Sequence, residues 1–492
     1  VKRLLTIEEI KMFLDEDAAS QLKKKAVEGQ KYYEGVHDIL DFRMFYWNAD
    51  GKLVEDTTRS NAKIPHPFLT ELVDQAVQHI LSGECGIVNS DDPELQTFLD
   101  DYINDNETFM AELAETMTGM QAKGFDYMHA YIGDDDKLHF ENADCLGVVE
   151  VEGRFADDHK DQFIYKYMDR IDKEGHMQFK ILVIDDQYTY YYKQQDNGEI
   201  TEDEEVAINP KPHRVYEKDG KLYTKADSEA FLPFWRIDNN KKKTSLLKPV
   251  KALIDDYDIM ASSLTNNLID FDTPIHVVKG FQGDNLDELQ ANLKTKKLIG
   301  VDDDGGVEVH TVDVPYQARV AKLELDEKSI YKFGMGLNLA GLKDTAATTN
   351  IAIKAAYSLL ELRCGKMIIQ IKQFLRKILK VIIAEINKQN GTDYQLSQVY
   401  FRFEPEIMSN AQENAQIDLT AAQEQQTRIN TLLGLATYFD NETLMQNICE
   451  VLDIDYEEIK GKLHDPDEGM NSITGAAAAL GGAEPFGGGV SE

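Results

Sequence analysis

Between Thr244 and about Lys388 the sequence reads as a helix, a strand-rich excursion, a second helix, a loop of small residues and one very long helix. Residues 244–272 (TSLLKPVKALIDDYDIMASSLTNNLIDFD) carry helical periodicity, with Pro249 near the first turn, where a missing N–H costs least. Residues 273–314 are β-like around GVDDDGGVEVHTVDV, and helix returns over 315–338, from about Tyr316. Past a break at 339–350 the chain stays helical over 351–390, a rod of about 57 Å at about 1.5 Å per residue. Two helices running out to a small module and back, followed by such a rod, suit a protein that lines or spans something. A compact single-domain enzyme has little use for them.

At 492 residues the chain has material for roughly two to four domains and a substantial core. Its apolar fraction of 42% and charged fraction of 28% are ordinary for a folded protein, so global disorder is not expected. A net charge of −36 argues against tight nonspecific wrapping of nucleic acid, whose affinity comes from Lys and Arg displacing phosphate counterions. It leaves room for a protein that lets DNA pass without gripping it. Cys85, Cys145, Cys364 and Cys449 lie far apart with no CxxC pair and read as reduced structural thiols of a protein made in the cytoplasm. The stretch VKRLLTIEEIKMFLDEDAAS lacks the apolar region of a secretory signal, and no segment reaches the ~18 apolar residues of a membrane span. No membrane partner is expected.

Thr6-Ile7-Glu8-Glu9 fits a capping box opening a helix to about Gly29, and Asp50-Gly51 marks a hairpin. A helix from Phe68 closes at Gly83, with Pro65 and Pro67 before it, and two more cover Asp92–Ile103 and Glu107–Ala122. From Tyr127 to Asp238 tyrosines and β-branched residues recur between turns at Glu174-Gly175, Asn197-Gly198 and Asp219-Gly220, as in antiparallel strands. The run Tyr188–Tyr192 could stack on bases, but no basic residues interleave on both sides, which favours a half-buried strand. Gln395–Glu406 reads as a strand returning to this β region. Ser409–Leu463 is helical again, with Ser409 capping and Gln412 three residues later. Residues from Pro466 are Gly/Ala-rich and read as a tail without a packed core.

Along the long helix Ile353, Tyr357, Leu360, Cys364, Met367, Ile371, Phe374, Ile378 and Ile382 recur at three- and four-residue steps and make one stripe. Leu359, Ile368, Leu375, Leu379, Ile383 and Ile386 widen it, so more than one neighbour is expected. Its charges are mostly basic (Lys354, Arg363, Lys366, Lys372, Arg376, Lys377, Lys380, Lys388) against Glu361 and Glu385. In so acidic a chain that reversal needs a partner, and charge pattern favours an acidic surface of the same protein or an adjacent subunit over DNA. The loop before the helix is small or polar apart from Leu342 and Lys343. Gly334 and Gly336 should weaken or bend the preceding helix. Spacing alone does not separate an ordinary connection from a loop projecting into a lumen, with Lys343 able to touch phosphate.

Nothing in the sequence supports catalysis. Each Gly-Lys pair lacks the Ser or Thr of a phosphate-binding loop, and HExxH, GxSxG and a strand-linked GxGxxG are missing. Asp302-Asp303-Asp304-Gly305-Gly306 fails the EF-hand register, because that register puts Gly300 or Val301 at the first ligand position. Asp134–Asp136 has no suitably placed glycine, so both acidic triplets read as solvated turns. The 11 histidines show no ligand spacing, and His66, between two prolines, reads as structural. No metal or other cofactor is expected.

The order of segments resembles the portal proteins of tailed double-stranded DNA bacteriophages, in the branch typical of long-tailed phages of Gram-positive hosts. The resemblance rests on KYYEGVHDI (Lys31–Ile39), NAKIPHPFLTELVDQAVQHILSGE (Asn61–Glu84), YTYYYK (Tyr188–Lys193), LPFWRIDNN (Leu232–Asn240), the helix–excursion–helix block and TTNIAIKAAYSLLELRC (Thr348–Cys364). It covers roughly residues 25 to 460. What it implies is an α+β, multi-domain portal architecture: a mixed α/β wing (1–243), a two-helix stem (244–272 and 315–338), a small α/β clip (273–314) and a tunnel loop (339–350). A long spine helix (351–390), a return strand to the wing (391–408), a helical crown (409–465) and a flexible tail (466–492) complete it. The resemblance implies a ring, usually of twelve copies, at one capsid vertex of the virion, a channel for packaging and ejecting double-stranded DNA.

By position, the DNA-facing tunnel loop would present Lys343, Asp344, Thr345, Thr348, Thr349 and Asn350. The clip would present Lys294, Lys296, Lys297, Asp302, Asp303 and Asp304 to the terminase packaging motor and later to a head-completion adaptor. Scaffold and major capsid protein would be further partners. This loop is Thr/Ala-rich where the family is often glycine-rich. The competing readings are a metal-dependent hydrolase or nuclease using the acidic clusters, and another structural connector of a phage particle.

Overall fold

Thr6 starts the first helix by the reciprocal cap that its neighbours spell. Its Oγ1 accepts from Glu9 N–H at 3.3 Å, and Glu9 Oε2 accepts from Thr6 N–H at 2.9 Å. The single helix expected to Gly29 is two, α1 (Ile7–Ala19) and α2 (Gln21–Tyr33). Ser20 divides them: its backbone is extended and its Oγ accepts from Lys23 N–H at 3.2 Å, so it ends one helix and caps the next. The Asp50-Gly51 turn joins β1 (Phe45–Trp47) to β2 (Leu53–Glu55), with Gly51 at φ +70°, a region that favours glycine. α3 (Phe68–Leu81), β3 (Val88–Ser90), α4 (Pro93–Leu99) and α5 (Glu107–Lys123) follow. The helix expected through Ile103 turns π-helical over Asp100–Asn104.

The computed structural model describes residues 5–57, 59–83, 86–133, 137–152, 160–171, 175–213, 215–218, 221–224, 232–271, 275–281, 301–310, 316–338, 350–404, 411–435, 438–439, 441–452 and 456. Cys85, Asp134–Asp136, the Asp219-Gly220 turn, Ser409 and the tail from Pro466 lie outside them.

The β signals of the first half fold as antiparallel strands: β4 (Phe125–Ile132), β5 (Leu138–Ala143), β6 (Val148–Glu152), β7 (Lys160–Ile171), β8 (Met177–Ile184), β9 (Tyr188–Gln194), β10 (Ile200–Glu202), β11 (Lys211–Pro212), β12 (Val215–Lys218), β13 (Lys221–Thr224) and β14 (Phe234–Asp238). The larger sheet runs β10-β9-β8-β7-β6 with β11 also on β9, and a smaller one runs β14-β4-β5. Strand alternation serves both faces of the larger sheet. Val148, Phe163, Leu182 and Ile184 pack with Ala26, Phe125, Tyr127 and Phe234. Their immediate neighbours Val149, Ile164, Ile181 and Val183 pack with Ile10 of α1, Tyr192 and Ile200. The tyrosine run lies in β9 as strand material, with Tyr192 buried and Tyr190 and Tyr191 half-buried.

The second half supplies α6 (Leu247–Phe271), β15 (Ile275–Phe281), β16 (Val301–His310), α7 (Tyr316–Gly334) and α8 (Asn350–Asn390), which is 41 residues long. Gly334 and Gly336 do more than bend α7. The helix stops at Gly334 and Met335 takes φ +53°. A Cβ on Gly334 would come within 2.5 Å of Leu72 Cδ1, so a larger residue there would force the buried Leu72 side chain to shift. Asp302–Asp304 fall within β16 between Val301, opposite Phe281, and Gly306, opposite Lys279, the stretch where the register with β15 shifts. β17 (Val399–Phe401) pairs with β3, so it returns to residues 1–243 but not to the strands between Tyr127 and Asp238 where it was expected.

Along α8, Tyr357, Leu360, Cys364, Met367, Ile371, Phe374, Ile378 and Ile382 are all buried, as are Leu375, Leu379, Ile383 and Ile386. Leu359 is not part of that face, being 38% exposed. Residues 1–345 with 354–407 form one compact unit; residues 346–353 with 408–492 form a second. In the second, α9 (Ala411–Gly434) and α10 (Asn441–Val451) are two helices where one helical region was expected. No helix among the described residues is long and apolar enough to cross a membrane.

Candidate functional site

The most elaborate polar construction in the first unit lies where an extended segment, residues 60–66, runs along α6. Four residues of α6 spaced by four, Asp258, Ser262, Asn266 and Asp270, each accept a backbone N–H from this segment. The donors are His66 (2.9 Å), Ile64 (3.1 Å), Ala62 (2.7 Å) and Ser60 (3.2 Å), every second residue of the segment. The two repeats match physically. Four helical residues advance about 6 Å and two extended residues about 6.6 Å, so a side-chain ladder stays in register over four rungs. Satisfying those amides from a helix face leaves no orphan donors along this segment edge.

At the first rung the ladder becomes a buried charge cluster. Asp258 is 0% exposed, its Oδ2 lies 2.6 Å from His37 Nδ1, and its Oδ1 lies 2.8 Å from His66 Nδ1. His37 Nε2 faces the Tyr32 carbonyl at 3.2 Å, so both ring nitrogens face hydrogen-bonding partners. Burial by itself would raise the Asp258 carboxyl. The hydrogen bonds from His37 and His66 outweigh it and hold the group below the ordinary aspartate range. Tyr32 stacks on His37 at 4.5 Å and donates its hydroxyl to Asp255; Lys251 bridges Asp38 at 2.6 Å and Asp255 at 2.9 Å. His66 is thus a structural residue, as its proline setting suggests.

α7 packs beside α6, with Lys322 bridging Asp256 of α6 and Asp326 of its own helix. At its far end Tyr331 donates to Glu71 at 2.6 Å, and Gln75 of α3 holds the backbone of Leu337 by two bonds of 2.9 Å. Arg363 of α8 completes the crossing, donating to the Gly334 carbonyl at 2.9 Å and to the Leu72 carbonyl. Burial pushes this guanidinium down to about 10. The end of α7 and the Arg363–Cys364 stretch of α8 are therefore tied to the same α3 surface.

The residues singled out from the sequence fall mostly elsewhere. Lys343, Asp344, Thr345, Thr348 and Thr349, and likewise Lys294, Lys296 and Lys297, lie outside the described residues. Asn350 is the first residue of α8, and Asp302, Asp303 and Asp304 are consecutive in β16. A separate acidic group, Asp126, Asp144 and Cys145, brings three possible ligand atoms together among the described residues. Its geometry is that of an ion pair: Lys123 Nζ sits 3.0 Å from Asp126 and 2.8 Å from Asp144. Burial holds the Cys145 thiol well above its usual range and pushes Asp126 up to about 6 despite Lys123. Sequence reasoning missed the α6 ladder, although the polar residues at 258, 262, 266 and 270 were a visible i, i+4 signal.

The family model described as "Phage portal protein, SPP1 Gp6-like" matches residues 15–460. The portal protein of Bacillus phage SPP1 is 27% identical over 369 residues, covering 75% of this chain and 70% of the relative. The portal protein of Clostridium phage phiCD119 is 24% identical over 436 residues, covering 84% of this chain and 89% of the relative.

Proposed function

This chain belongs to the SPP1 Gp6-like family of phage portal proteins, and we propose how its segments divide that work. As a portal protein it forms an oligomeric ring at a capsid vertex, a channel through which genomic double-stranded DNA is packaged and ejected, with capsid and packaging partners. The role is structural, and we assign it no catalytic residue. In our reading α6 and α7 are the stem and the β15–β16 segment between them is the clip. Residues 339–350 are the tunnel loop, α8 is the spine, residues 1–243 with β17 are the wing, and α9 and α10 belong to the crown. Twelve copies would close the ring by head-to-tail contacts. The clip, with Lys294, Lys296, Lys297 and Asp302–Asp304, would meet the terminase motor and then the head-completion adaptor. Scaffold and major capsid protein would be the remaining partners.

The observation that carries this reading is the family match over 15–460 on a chain that runs out along α6, pairs β15 with β16, and returns along α7 to α3. A surface with net charge −36 suits a lumen that repels the DNA backbone and limits sticking. Negative-stain electron microscopy of the purified chain should show rings with a central hole wide enough for duplex DNA. Compact monomers at all concentrations would overturn the assignment. Lys343→Ala should leave rings intact while lowering DNA packaging or retention, and unchanged packaging would remove Lys343 from the DNA path.

A further inference from the structure

α8 presents one face that the described residues of its own chain leave bare. Leu359, Leu362, Lys366, Ile369, Lys377 and Lys380 recur at three- and four-residue steps, with Gln373 between, and all are exposed, Leu362 by 55% and Ile369 by 56%. From 355 to 384 this stripe, about 44 Å long, contains no carboxylate. The helix's two acids lie off it, and Glu385 is buried. Neighbouring cations are already engaged: Arg376 lies over the Phe401 ring at 5.8 Å and Lys372 over Phe403 at 5.6 Å. Lys366, Lys377 and Lys380 form no ion pair among the described residues.

We propose that this stripe is one half of the contact between neighbouring copies in the ring, docking on an acidic and partly apolar flank of a second copy of this chain. The inference rests on the ring assembly of the preceding section. Copies that each carry −36 repel one another, so a close contact forms most readily where that sign is locally reversed. A head-to-tail ring joins two unlike surfaces, and basic on acidic is such a pair. Leu359, Leu362 and Ile369 argue against duplex DNA as the occupant, since a phosphate backbone covers no aliphatic side chains, whereas a protein flank does.

The test is the full chain carrying Lys366→Glu, Lys377→Glu and Lys380→Glu, positions exposed enough to leave the fold intact, with far-UV circular dichroism as the control. Like charges placed across the contact should lower the ratio of rings to free subunits by about tenfold or more, read by analytical ultracentrifugation. Leu362→Ser with Ile369→Ser should act in the same direction, and Lys→Arg at the three positions should keep rings at the wild-type level. Rings as abundant in both disruptive variants as in wild type would overturn the proposal. So would intact rings whose assembled particles lose DNA retention, which would assign the stripe to phosphate. A wild-type chain that forms no ring would overturn the ring assignment and the stripe together, whereas ring-forming wild type with unaffected variants would sink the stripe alone.

Discussion

Asp258→Ala should destabilise the first unit by about 3–5 kcal/mol, the range for removing one partner of a buried charge cluster. The carboxylate is fully buried and serves three donors, His37 Nδ1, His66 Nδ1 and the His66 backbone N–H. Its loss strands a buried imidazole against α6 and breaks the first rung of the ladder that holds residues 60–66. Asp258→Asn keeps the shape and one acceptor and should fall between the variant and wild type. Urea unfolding checks the magnitude, and amide exchange should show protection lost over residues 60–66 before the large sheet opens. A ΔΔG below about 1 kcal/mol would show that the cluster is not holding the two segments together.

The same carboxyl sets a pH dependence. Its folded-state value lies below the unfolded one, so the native state binds fewer protons in that interval. The stabilisation is therefore complete above the ordinary aspartate value of about 3.9 and is lost as pH falls through the depressed folded value. Asp258→Asn should remove this component, flattening the acid limb of the stability profile relative to wild type.

Arg363→Ala should cost about 3 kcal/mol, by opening a cavity on α8 and leaving the Gly334 carbonyl at the end of α7 without its donor. Arg363→Met fills the space and also removes a buried cation that its surroundings disfavour, so its cost should be smaller. The variants separate packing from the hydrogen bond. Faster amide exchange at the end of α7 in both, with a large stability loss only in Arg363→Ala, is the expected pattern. Wild-type exchange there in Arg363→Met would show that the guanidinium does not fix that helix end.

How far these features were legible follows from where their partners lie. The Thr6–Glu9 cap, the Gly51 hairpin and the buried stripe of α8 have all their determinants within one turn or one helix face, and the sequence displays them directly. The rungs of the α6 ladder join residues 192 to 210 positions apart, so the spaced polar residues were visible but the amides they serve were not. Arg363 read as one more cation on a basic helix because its acceptors are backbone carbonyls, and those leave no mark on residue type.

Taken alone, the sequence determined the order of elements, helix, paired strands, helix and rod, because periodicity and capping act over a few residues. Its motifs in order also carried the resemblance to portal proteins. Tertiary structure decided which segments are locked together. It showed that residues 60–66 are tied to α6, that α7 stops at Gly334 against α3, and that β17 pairs with β3. These are long-range choices, governed by burial of charge, close backbone approach and the satisfaction of distant hydrogen bonds, none of which is written at any single position.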